Sequence, residues 1–185
     1  MRMHPSGSSS AAIGLDPDLL CFGKAVANGR ALSVCAGSAE LREAADQVGY
    51  LGTFFASAMA QAAGLATFQA FDIESSFERM SAVGRRLSTG LVEAASAADV
   101  RIEVTGVPAM SMVTIEGDDW DRYLNHVWSA AMVRRGVLVH PLQAWYLCAA
   151  LTDEQVDAVL DRAADAFAEV AAEIANPTRV RWVQP

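Results

Sequence analysis

The sequence predicts a mixed fold: a piece of an α/β sheet over residues 1–74, followed by a small α+β unit over residues 75–185. Three observations carry this reading. The apolar run Leu19-Leu20-Cys21-Phe22, closed by Gly23, has the length of a buried strand and not of a helix. Nothing between Asp46 and Asp72 is charged, and the stretch is rich in Ala, which fits a helix inside a protein. From Ser75 the pattern changes to long amphipathic repeats that frame an alternating segment, Val100, Ile102 and Val104. Two strands make no stable sheet alone, so the first part reads as cut from a larger one.

Residues 1–14 are expected to be loop. The strand Leu19–Phe22, of the parallel-sheet kind, then places Lys24 at its carboxyl end, where ligands bind in open α/β sheets. Asn28-Gly29 marks a turn and Leu32–Ala36 a second short strand. Ser38 is the expected N-cap of a helix through Gln47, and Ser57–Phe71 is expected as a buried helix. Phe77, Met80, Gly84, Leu87, Leu91 and Ala94 recur at helical spacing and read as core packing. Val100–Val104 and Ser111–Ile115 are paired strands with Gly106 and Pro108 in the turn between them. An amphipathic helix over 118–135 carries Trp120, Tyr123, Leu124, Val127 and Trp128 and stops at Gly136. Val137–His140 reads as a strand ending at Pro141; Thr152 and Gln155 form a capping box for a last helix ended by Asn176-Pro177.

Composition excludes several functions. The 185 residues are 52% hydrophobic and 19% charged with a net charge of −8, which argues against disorder and against nucleic acid as a partner. Gly49, Gly52, Gln61 and Gln69 within the uncharged stretch argue against a membrane span. Cys21, Cys35 and Cys148 lack CxxC spacing, sit among apolar neighbours, and read as buried thiols of a reducing, cytoplasmic compartment. His4, His126 and His140 are too scattered for a metal site.

The 14 basic residues are all Arg except Lys24. Arg is permanently charged, whereas a lysine amine can be neutralised and attack a carbonyl. A lysine behind a buried strand and a glycine is expected to be partly desolvated, which favours the neutral amine. No GxSxG, Walker loop, GxGxxG or HExxH is present to support another chemistry.

Pro17-Asp18-Leu19-Leu20 leading to Gly23-Lys24 and a small, Gly-containing turn resembles the lysine signature of class III pyridoxal-phosphate-dependent aminotransferases. Gly52-Thr53 ahead of Ala62-Ala63-Gly64-Leu65-Ala66-Thr67, then Arg135-Gly136-Val137, His140-Pro141 and Thr152-Asp153-Glu154, resemble further landmarks of the glutamate-1-semialdehyde 2,1-aminomutase-like branch, in the same order. The resemblance implies the C-terminal part of a fold-type-I (aspartate-aminotransferase-like) enzyme, with residues 1–74 ending its large cofactor domain and 75–185 forming its small domain. It implies that Lys24 forms the internal aldimine with pyridoxal 5'-phosphate and later moves a proton between substrate and cofactor. It further implies that Gly52 and Thr53 bind the cofactor phosphate of the neighbouring subunit in a homodimer with shared sites, and that the partners are small-molecule amino donors and acceptors.

The sequence departs from that pattern in several places. Ala27-Asn28-Gly29-Arg30-Ala31 stands where relatives often carry Gly-Gly-Gly-x-Pro, and Ala56-Ser57 where Asn-Pro is common. Residues 146–151 contain no Arg to bind a substrate carboxylate, which suits the aminomutase-like branch. The acidic partner of the pyridine nitrogen, the ring-stacking aromatic residue and the phosphate-binding Gly/Ser turn belong to the family's N-terminal half and are not among these residues. The leading expectation is a pyridoxal-phosphate-dependent aminotransferase or aminomutase chain that is a poor catalyst in isolation; the alternative is a truncated, non-catalytic interaction subunit, or one half of a two-chain enzyme whose partner supplies the missing N-terminal half.

Overall fold

Within the first 14 residues, expected as loop, a single turn of helix, α1 (Ser9–Ala12), is capped by the Ser8 hydroxyl, which accepts from the Ser10 amide at 3.1 Å. The computed structural model describes Arg2, His4 and residues 8–49, 52–55, 57–73 and 75–178. The remainder of the expected N-terminal loop, Met1, Met3 and residues 5–7, lies outside the described residues, as does Ala56 of the Ala56-Ser57 departure. The chain divides into two units, Met1–Glu78 and Arg79–Pro185.

In the first unit β1 (Leu19–Phe22) pairs with β2 (Val34–Gly37), but antiparallel, with Leu19 opposite Gly37 and Phe22 opposite Val34. This pair is not of the parallel kind expected for Leu19–Phe22 because residues 23–33 are too short a connection; a parallel crossover needs about a dozen residues or more. Neither strand is buried, because a two-stranded ladder covers little of itself. Asn28 and Gly29 turn the chain in the left-handed region, at φ +44° and +101°, as the Asn-Gly pair predicts. Ser38 makes no side-chain cap: a 3-10 turn, Ala39–Leu41, intervenes before α2 (Arg42–Asp46). The Ala-rich segment forms α3 (Ala58–Ile73), yet only part of its surface is covered: Ala60 and Gly64 are buried while Met59, Leu65 and Phe68 are exposed. Among the described residues no helix is long and apolar enough to cross a membrane.

The second unit has a closed core. α4 (Ser76–Ala97) begins at the end of the first unit, and its expected stripe buries Met80, Leu87 and Leu91. The hairpin of β3 (Ile102–Val107) and β4 (Met110–Ile115) follows, with Pro108 in the turn and Gly106 inside β3 at φ +91°. Gly84 is where α4 crosses that turn: a Cβ there would stand 1.9 Å from the Pro108 carbonyl oxygen. The next helix, α5 (Tyr123–Arg134), begins later than its apolar pattern suggests. The Asp118 carboxylate caps it from outside the helix, Oδ1 accepting from Leu124 N at 2.9 Å and Oδ2 from Asn125 N at 3.0 Å. Trp120 consequently lies before the helix and is 85% exposed.

Residues 137–140 form no strand, because their backbone bonds elsewhere: Val137 N–H donates to Met132 O, and Val139 O accepts from the Ser129 hydroxyl at 2.7 Å. Trp128 stacks between Trp145 and Phe167, at 5.6 and 5.3 Å between ring centroids. The capping box is present at the start of α6 (Asp153–Ala175): Thr152 Oγ1 accepts from Gln155 N at 3.2 Å and Gln155 Oε1 from Thr152 N at 3.0 Å.

Candidate active site

Lys24 follows β1 and Gly23 and opens a 3-10 turn, Lys24–Ala27. Its backbone is left-handed at φ +53°, a conformation that costs an L-residue about 1–2 kcal/mol and persists only where the surroundings impose it. The surroundings here are α3. Val26 and Ala27 are fully buried, and Gly64 on α3 makes the close approach possible: a Cβ there would meet Leu32 Cδ2 at 2.8 Å and Val26 O at 3.7 Å. Gly64 of the Ala62-Ala63-Gly64 run thus has a local physical role, seating the helix against the lysine turn.

The Lys24 side chain itself is exposed, and its amine has no ion pair or hydrogen bond among the described residues. The desolvation expected from a buried strand is absent, because β1 is not buried. Gly52 and Thr53 open a turn closed by Phe55 N–H donating to Gly52 O at 3.1 Å, shortly before α3. Both are exposed, a Cβ on Gly52 would meet nothing within 4 Å, and the Thr53 hydroxyl has no partner among the described residues. Lys24 and Thr53 share no hydrogen bond. A free amine on a braced turn can bond an aldehyde; a hydroxyl and open backbone in a Gly-containing turn suit a phosphate dianion.

Beside Lys24 an open groove of ≈ 1040 Å³ runs along the ladder, lined by Leu19, Cys21, Gly23, Cys35, Arg42 and Phe55 among others. The three cysteines are all exposed, contrary to the buried thiols expected; Cys21 and Cys35 face one another across the ladder. A hydrogen bond with the Cys21 side chain pushes the Cys35 thiol above its ordinary value. That pairing was legible only through the antiparallel arrangement, for which the short 23–33 connection was the available signal.

This chain belongs to the class-III aminotransferases, whose family model matches residues 7–167. The family's cofactor is pyridoxal phosphate, and the expected fold, part of a fold-type-I enzyme, holds. Among curated relatives, it is 33% identical over 164 residues to an aminopentol aminotransferase of Sphingopyxis macrogoltabida, covering 89% of this chain and 39% of that protein. It is 31% identical over 176 residues to a glutamate-1-semialdehyde 2,1-aminomutase of Desulforapulum autotrophicum, covering 88% of this chain and 41% of the relative. The pyridoxal-phosphate internal aldimine form of the FumI protein of Sphingopyxis sp. MTA144 superposes with a TM-score of 0.88 at 31% identity, over 95% of this chain and 42% of that one. The chain therefore spans about two-fifths of the length of the relatives it matches.

Proposed function

We propose that this chain carries the lysine of a pyridoxal-phosphate-dependent amino-group transfer, with Lys24 as the amine that bonds the cofactor aldehyde. The observation that carries the reading is the sequence's single lysine, standing on a left-handed turn braced by α3, exposed and unpartnered among the described residues. Bound there, pyridoxal phosphate supplies the electron sink for negative charge developing at the carbon that bears the amino group. Lys24 Nζ holds the cofactor, and when free it takes up and returns a proton. Thr53 Oγ1 and the Gly52 backbone hold phosphate, in the reading for the neighbouring subunit of a dimer; the absence of a Lys24–Thr53 hydrogen bond within the chain accords with that. Residues 1–74 serve as the end of a large cofactor domain and 75–185 as a small domain, and exposed free thiols suit a cytoplasmic setting. Transfer within one small molecule, as in an aminomutase, and transfer between an amino donor and an acceptor both fit these residues.

The test is covalent mapping. Protein mixed with stoichiometric pyridoxal phosphate is reduced with borohydride and digested, in buffer and again in urea. The expected result is a label on Lys24 whose ratio to the label on the α-amino group is higher in the folded protein. A folded protein with no label on Lys24, or the same ratio in urea, overturns the assignment.

A second reading, a non-catalytic interaction subunit or half of a two-chain enzyme, is favoured by the open apolar surface of the first unit: Phe54 is 84% exposed, beside exposed Phe55, Met59 and Leu65. Co-purification with a chain bearing the acidic and aromatic cofactor contacts, and activity found only in the mixture, supports the two-chain form. Efficient transamination by the 185-residue chain alone removes this reading.

A further inference from the structure

Cys21 and Cys35 are opposite one another in the β1–β2 ladder. Ser38 N–H donates to Asp18 O at 2.9 Å, which makes Asp18–Ser38 a hydrogen-bonded position. Positions alternate along an antiparallel pair, so Leu19–Gly37 and then Cys21–Cys35 are non-hydrogen-bonded positions. There Cα atoms lie about 4.5 Å apart and side chains stand closest. A disulfide accepts Cα separations of about 4.4–6.8 Å. Both thiols are exposed, and both line the open groove beside Lys24.

We propose that Cys21 and Cys35 are a redox-active dithiol that closes to an intrachain disulfide by exchange with a low-molecular-weight disulfide. One cysteine thiolate attacks a sulfur of the reagent RSSR, forming a mixed disulfide and expelling RS⁻. The other cysteine loses its proton and attacks the protein sulfur of that mixed disulfide, expelling a second RS⁻. Two protein thiols are oxidised and one RSSR is reduced to two RSH, the two protons going to the departing thiolates. Cross-strand Cβ atoms at about 4.5–5.5 Å must draw in to reach the roughly 3.8 Å of a disulfide, so the bridge is of the labile, readily reduced kind. It ties β1 to β2 immediately before Lys24, and it stands whether or not Lys24 holds a cofactor.

The test equilibrates the chain with reduced and oxidised glutathione, quenches with acid, alkylates and digests with trypsin. Cleavage after Lys24 and Arg30 places the two cysteines on separate peptides. The expected product is those peptides joined through Cys21 and Cys35, while Cys148 carries alkylating reagent or glutathione. Diluting both glutathione forms about tenfold at fixed ratio raises the bridged-to-open ratio about tenfold, because closure releases two thiols per disulfide consumed; the mixed disulfide on Cys148 does not shift. Separate glutathione adducts on Cys21 and Cys35, a bridge to Cys148, or a bridged fraction indifferent to dilution overturns the proposal.

Discussion

Lys24 occupies a left-handed backbone at φ +53°, and replacing it separates the demands of the backbone from those of the side chain. Lys24→Ala removes the amine but keeps the Cβ that makes this conformation costly. Lys24→Gly removes both. The left-handed region costs an L-residue about 1–2 kcal/mol, while glycine gives back about 0.5–1 kcal/mol through the greater freedom of its unfolded chain. The glycine variant should therefore hold the turn about 0.5–1 kcal/mol better than the alanine variant. The four tryptophans lie at 120, 128, 145 and 182, in the second unit, so fluorescence does not read this turn. Amide hydrogen exchange does: Val26 N–H donates to Gly23 O at 3.2 Å and Asn28 N–H to Ala25 O at 3.1 Å. Protection at those amides should be about two- to fivefold greater in Lys24→Gly than in Lys24→Ala, with the alanine variant close to the parent. Equal protection in the two variants would refute the idea that the lysine is held in a strained conformation.

Other positions give independent checks. Asn125 is 1% exposed; its Oδ1 accepts from Ile115 N at 2.9 Å, and its Nδ2 donates to Val113 O at 2.8 Å and Pro141 O at 3.1 Å. Asn125→Ala orphans these groups and should cost about 2–4 kcal/mol, seen as a lower urea midpoint at unchanged slope. Asn125→Asp sets carboxylate oxygen against two carbonyls, so it should be worse than alanine at neutral pH and recover as acid protonates it. Gly84→Ala forces a Cβ onto the Pro108 backbone, which cannot yield as a flexible side chain does; a loss of about 1–3 kcal/mol should appear as a lowered thermal midpoint. The Glu169 carboxyl is held below its ordinary value, chiefly by its hydrogen bond with Arg135 at 2.6 Å. Its stabilising contribution is full above about pH 4.3 and fades as pH falls through the lowered folded value. Because the pair is partly exposed, that contribution is about 0.5–1 kcal/mol, and Arg135→Ala should flatten the acid limb of stability by that amount.

The sequence displayed most clearly those features whose causes are local. The capping box at Thr152 and Gln155, the Asn28-Gly29 turn and the α4 stripe depend on neighbours within one or two turns of chain, and each is present. What it misplaced depends on distant partners. Asp118 starts α5 late from outside the helix, and Ser129 satisfies a carbonyl that a strand would have paired. The burial of β1, and with it the expected desolvation of Lys24 and of the cysteines, rested on covering layers that no local pattern can supply. Asn125 carried no sequence signal at all: its value lies in three backbone groups brought to it by β4 and the segment at Pro141.

The two units differ in how far their apolar side chains are covered, and the candidate site follows that division. In the second unit Trp128 is 1% exposed within a core that also closes over Leu91, Met132 and Phe167. The first unit carries Lys24, Gly52 and Thr53, and around them Leu19, Phe54, Phe55 and Leu65 remain open. Burial of apolar area is what holds a backbone against the cost of a strained conformation, at about 25 cal/mol per Å². For Lys24 that support comes, among the described residues, from α3 packed on Val26 and Ala27. Any surface that covers the exposed side of the first unit therefore acts on the lysine in two ways. It adds burial that stabilises the left-handed turn, and it removes water from around an amine that otherwise stands in solvent. The backbone of Lys24 and the solvent around its amine thus depend on the same uncovered face, so a surface that holds the turn would also bear on the chemistry proposed for Lys24.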